Sequence, residues 1–112
     1  MANIFNNAQV QLSSTSLTDV YQAPTGTGNV AVVLSTVAAN VNGTASVDFT
    51  LAKTDSANTL QSYILFTTPV PNDTSLECIS NKVVLKAGEK LRAQASTSNY
   101  IHVTVSTLEI TI

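Results

Sequence analysis

The chain has 112 residues, of which 44 % are hydrophobic and only 11 % charged, enough for one domain with a core that needs no covalent staples. That charged fraction is less than half of the about 25 % usual for a soluble domain, and Ser, Thr, Asn and Ala fill the difference, a surface chemistry that suits a long-lived assembly component. A formal net charge of -2 argues against a dedicated nucleic-acid binder, which needs a basic balance to displace counterions.

The opening segment, "MANIFNNAQ", has little core pattern, so residues 1–8 are expected to form an extended N-terminal arm that orders on a neighbour. It lacks the basic and apolar regions of a signal peptide. No run reaches the roughly 18 apolar residues of a membrane span, so synthesis in the cytoplasm and no membrane partner are expected. "AQVQLSS" and "LTDVYQAP" read as short strands, the second ended by Pro24 and the "PTGTGN" turn.

Residues 30–41 are rich in β-branched side chains, and "TASVDFTLAK" alternates strictly. Asn42 and Gly43 between them predict a tight primed turn and an antiparallel hairpin. In that hairpin Leu34, Thr36 and Ala38 share the core face with Val47, Phe49 and Leu51. The opposite face carries Val33, Val37, Ala39 and Val41, also apolar, and these four are the candidate subunit-interface residues.

"LQSYILFTTPV" is an apolar strand that must end or reach an edge at Pro69 and Pro71. "SLECIS" is a short strand. "KVVLK" and "KLRAQAS" predict a second hairpin across Ala87 and Gly88, with Lys82, Lys86, Lys90 and Arg92 on its outer side. These cations are the candidate capsid or partner docking residues, suited to an acidic protein surface. The alternative is a solvated hairpin face that discourages edge pairing. No aromatic residue is interleaved for base stacking, which again disfavours nucleic acid. In "YIHVTVSTLEITI" the apolar parity changes around Ser106 and Thr107, which predicts a bulge there. The fold class expected is all-β: a single antiparallel β-sandwich over residues 1–112, jelly-roll-like or immunoglobulin-like, with seven to nine short strands.

Chemistry is sparse. His102 and Cys78 are the lone histidine and cysteine, too few for a nitrogen and sulfur metal site. Cys78 cannot form an internal disulfide. The carboxylates Asp19, Asp48, Asp55, Asp73, Glu77, Glu89 and Glu109 fall in turns or on polar strand sides. "TGTGNVA" precedes a strand and opens no helix on which phosphate could sit. No catalytic, cofactor or metal residue is expected, and no enzyme.

Two long segments carry a resemblance. "LTDVYQAPTGTGNVAVVLSTVAANVNGTASVDFTL" is similar to a pattern of small tailed-bacteriophage virion proteins, those of marine and cyanobacterial phages among them. It has the "VY…P" strand, the valine-rich strand ending in "AN", a turn, and an alternating strand. "TTPVPNDTSLECISNKVVLKAGEKLRAQASTSNYIHVTVSTLEI" resembles that group's continuation through "K-V-L-x-x-G-D-x-L" to a closing "S-x-L-E-I". The resemblance spans roughly residues 17–110, and the order of the motifs is its specific part. Glu89 departs from the pattern, in which aspartate is commoner after the glycine. The resemblance implies a virion structural component, first a capsid decoration (cement) protein bound to the major capsid protein at the capsid surface, commonly as a homotrimer. The alternative role is a tail, neck or head-fibre module that binds a host-surface glycan or protein.

Overall fold

Every segment with a period-two pattern is a strand in the computed structural model, which describes residues 2–79 and 82–112. Among these residues the nine strands are β1 (Ala2–Gln11), β2 (Thr18–Gln22), β3 (Val30–Asn40), β4 (Val47–Thr54), β5 (Leu60–Val70), β6 (Ser75–Glu77), β7 (Val83–Lys86), β8 (Lys90–Ala95) and β9 (Ile101–Thr111). No helix among the described residues is long and apolar enough to cross a membrane.

The strands form two antiparallel sheets. Sheet A has the order β1-β9-β3-β6, with β7 also on β3, and sheet B has the order β2-β8-β4-β5. The pairings are nested: β1 with β9, β2 with β8, β3 with β6 and β7, and β4 with β5. Such nesting describes one long hairpin, wrapped so that β9 also lies on β3 and β8 on β4. This is a jelly-roll sandwich. The tip of the hairpin is residues 55–59, where Asp55 Oδ1 accepts the N–H groups of Ala57 and Thr59 at 2.9 Å each and Asn58 takes a φ of 67°.

Both hairpins expected from local turn signals are therefore corrected. β3 and β4 lie in different sheets, and residues 41–46 cross between them. Gly43 does not take the left-handed conformation that a primed turn requires. Asn40 instead stitches the crossing from inside, with Nδ2 donating to the carbonyls of Ala45 (3.1 Å) and Val70 (2.9 Å). β7 and β8 also lie in different sheets. Their connection turns at Gly88, φ 78°, with Glu89 N–H donating to Lys86 O at 3.0 Å.

The core lies between the sheets. Val47, Phe49 and Leu51 of β4 and Leu91, Ala93 and Ala95 of β8 meet Ala31, Val33, Ala38, Val103 and Val105 of sheet A. The register of β3 against β9 shifts between Val33 and Ser35, so Leu34 is an extra residue. Odd residues point inward before it and even residues after it, which puts Val33 in the core at 0 % exposure and removes it from any interface. The bulge expected at Ser106 and Thr107 thus falls on the facing strand. β9 keeps Ile101, Val103, Val105 and Thr107 buried throughout. The N-terminal segment is extended but not free: β1 pairs with β9 from Ala2 to Gln11.

One core position is imperfect. Thr36 is 1 % exposed, and its hydroxyl has no hydrogen-bond partner among the described residues. Thr36→Val keeps the shape and removes the orphan polar atom, so it is expected to stabilise the fold by about 1 kcal/mol. A raised denaturation midpoint at unchanged m-value is the readout.

Candidate functional site

The four cations of residues 82–92 do not share a face. Lys82 and Lys86 flank or end β7 of sheet A and are exposed. Lys90 and Arg92 sit on the outer side of β8 in sheet B, where the β2 register sets Asp19 opposite Arg92. Asp19 bridges both: Lys90 Nζ reaches Oδ2 at 3.0 Å, and Arg92 Nε reaches Oδ1 at 2.6 Å. Lys90 also donates to Asn58 Oδ1 at 2.9 Å and Arg92 Nη2 to Leu17 O at 3.0 Å. The hydrogen bond from Lys90, reinforced by that from Arg92, holds the Asp19 carboxyl below its usual pKa against the opposing effect of burial.

A second ionic contact closes the neighbouring corner. Glu89 accepts from Lys53 Nζ (3.1 Å), Gln61 Nε2 (2.8 Å) and Lys86 N–H (2.7 Å). Burial pushes its pKa up, but the donors from Gln61, Lys86 and Lys53 together outweigh that and leave it lowered. Lys53, Lys90 and Arg92 are thus engaged within the fold, and Lys82 and Lys86 are the two cations without an ion pair among the described residues.

Of the expected interface residues, Val37 and Ala39 are half-buried on the outer face of sheet A. Val41 is exposed beyond the end of β3 and lines a shallow depression of about 530 Å³ with Asp73, Thr74 and Ser75. The stronger apolar feature lies two rows beyond Val37, toward the other end of the sheet. Register places Phe5 beside Leu108, Leu108 beside Val32, and Val32 beside Val84, a row across all four strands at that end of the sheet. Phe5 is 77 % exposed and Val84 55 %. The next row is Asn3, Ile110, Val30 and Lys86. Sequence reasoning missed this face, although the parity change at Leu108 and Ile110 was its signal.

On sheet B, Tyr63 and Phe66 stand exposed on β5, with ring centroids 4.7 Å apart. Tyr63, Ala52, Arg92 and Asp19 form one cross-strand row, so the aromatic pair adjoins the ionic cluster.

Burial pushes the Cys78 thiol up to about 12, which leaves it protonated and unreactive at neutral pH. His102 is exposed on the outer face of sheet A, between Gln11 and Ala39. Tyr21 of sheet B donates to Glu109 Oε2 of sheet A at 2.5 Å, and burial together with that carboxylate raises its pKa to about 12. That bond ties the two sheets at one end. No cluster of three His, Cys, Asp or Glu side chains suited to a metal occurs among the described residues.

No protein-family model matches the chain, and no curated protein matches its sequence.

Proposed function

We propose that the chain is a bacteriophage virion structural protein, a capsid decoration protein that binds the major capsid shell and reinforces it. It is made in the host cytoplasm and works on the capsid surface, without a catalytic role. The observation that carries this reading is the outer face of sheet A, with its row of Phe5, Leu108, Val32 and Val84. An antiparallel sheet with one solvated face normally makes that face polar. A contiguous apolar strip there is the mark of a surface that another protein covers.

Lys86 lies in the adjoining row and is exposed, so it can add attraction to an acidic shell surface. Lys90 and Arg92 contribute only the field left after Asp19 is subtracted. Jelly rolls serve in viral capsid domains and also in lectins, a fold-level analogy that supports the virion reading without selecting a position.

The exposed Tyr63 and Phe66 pair beside Arg92 and Asp19 favours a second reading, a tail, neck or head-fibre module that stacks host glycans on its aromatic rings. Stoichiometry separates the two. Quantitative mass spectrometry of purified particles is expected to find on the order of hundreds of copies, as a repeating shell requires. A handful of copies per particle would move the assignment to the second reading.

A further inference from the structure

Each edge of a sheet offers unpaired N–H and C=O groups to any other strand, and proteins usually spoil such edges. Three of the four edges here are spoiled. In sheet A one side ends in β6 and β7, of 3 and 4 residues. In sheet B, β2 has 5 residues and a register shift between Asp19 and Tyr21. β5 is longer, but its register against β4 shifts at three places, Thr67 takes a φ of 46°, and Pro69 has no N–H to offer.

β1 has none of these devices. Its 10 residues run in unbroken register with β9 and include no charge, proline or glycine. Among the described residues nothing pairs with its other side. Leu12, just beyond the strand, donates its N–H to Ile101 O at 2.9 Å. Strand alternation then directs even-numbered backbone groups toward β9 and those of residues 3, 5, 7, 9 and 11 toward the open edge.

We propose that β1 is a self-association edge, where a second copy of the chain adds its own β1, antiparallel, across a two-fold axis. The outward groups sit on odd residues, with the Asn7 N–H held by the neighbouring Asn6 Oδ1 at 2.8 Å until a second copy displaces it, so odd must face odd across the seam. The registers that use nearly the whole strand then centre on Asn6, pairing residues 2–10, or on Asn7, pairing residues 3–11. No like-charge contact arises in either, because the segment is uncharged. Phe5 lies beside the seam, opposite the second copy's Asn7 or Gln9. A copy of β1 is the occupant because it is the one edge described in this molecule that is equally long, straight and unprotected. The seam closes at two copies, in place of the three-fold assembly that the resemblance implies. The inference stands without the virion reading.

Sedimentation velocity of the purified chain over a dilution series tests it. The wild type is expected to be a dimer that dissociates on dilution. Asn7→Pro removes an outward N–H, and with it the local bond to Asn6 Oδ1, while sparing the β1–β9 ladder, and Asn7→Lys brings two cations together near the axis. Each is expected to weaken dimerisation at least about ten-fold, with near-UV circular dichroism confirming an intact fold. If the proline unfolds the chain, the lysine variant decides. The proposal is overturned by a wild type that stays monomeric throughout, including one that then binds shells through β1. It is equally overturned by a dimer that the folded variants leave unchanged, or by a trimer or larger assembly.

Discussion

Phe49→Ala is expected to cost about 3–5 kcal/mol, a large share of the about 5–15 kcal/mol that holds a typical domain folded. Phe49 is the bulkiest of the fully buried side chains and sits at mid-sheet on β4, opposite Ala95 of β8 and Thr68 of β5. The cost depends on whether neighbours can fill the void. Here the buried set includes Ala31, Ala38, Ala93 and Ala95, which have no side chain long enough to reach into it. Two sheets held by backbone ladders also approach each other less readily than two helices slide, so most of the cavity should persist. Phe49→Leu, which keeps the bulk of the volume, is expected to cost about 1–2 kcal/mol. Equilibrium denaturation in guanidinium reads both. A loss below about 1 kcal/mol for the alanine variant would show that the sandwich collapses around the site.

The strands were legible and their partners were not, for one physical reason. Burial of one sheet face imposes a period of two on each segment, so strands such as β4 and β8 are written into local sequence. Pairing in a wrapped hairpin is set by contacts between segments far apart, as β1 with β9 or β2 with β8. Asn42 and Gly43 look like a primed turn because both residue types favour turns. In the fold, Asn42 serves differently: its Oδ1 accepts the N–H groups of Thr44 at 2.9 Å and Ala45 at 3.3 Å, shaping an inter-sheet crossing. The one local hairpin among the described residues, β4 to β5, turns through a five-residue loop that carries no Asn-Gly or Asp-Gly pair.

At the surface the same limit appears. Outward parity for Lys90 and Arg92 was readable, but their neutraliser lies 71 and 73 residues away at Asp19. Val33 failed as an interface residue because a single extra residue at Leu34 inverts the faces of β3, and no side-chain pattern marks a bulge inside an all-apolar run. β1 reads as patternless because most of its side chains are exposed, so its alternation is not written in polarity. Its lack of charge, visible in the sequence from the start, acquires meaning only once the other edges are seen to be protected.

Asp19→Asn is expected to destabilise the fold by about 2 kcal/mol at pH 7. It leaves Lys90, whose side chain is 11 % exposed, and Arg92 without their carboxylate. Breaking a fully buried pair costs more, about 3–5 kcal/mol, but Asp19 is 54 % exposed and solvent screens part of the loss. The dependence on pH follows from the lowered pKa of Asp19 in the folded state. Between that value and the ordinary carboxylate value of about 4 the unfolded chain binds a proton that the folded chain does not. The stabilisation is therefore complete above about pH 4 and drains away as pH falls through the folded value. Glu89, also lowered, adds to the same acid limb. Urea denaturation from pH 7 down to the acid transition should thus show the gap between wild type and Asp19→Asn narrowing below about pH 4. A gap that stays constant through that range would locate the effect in hydrogen-bond geometry instead of charge. Lys86→Ser is the control: its ammonium group takes part in no ion pair among the described residues, so stability and acid limb should both match the wild type.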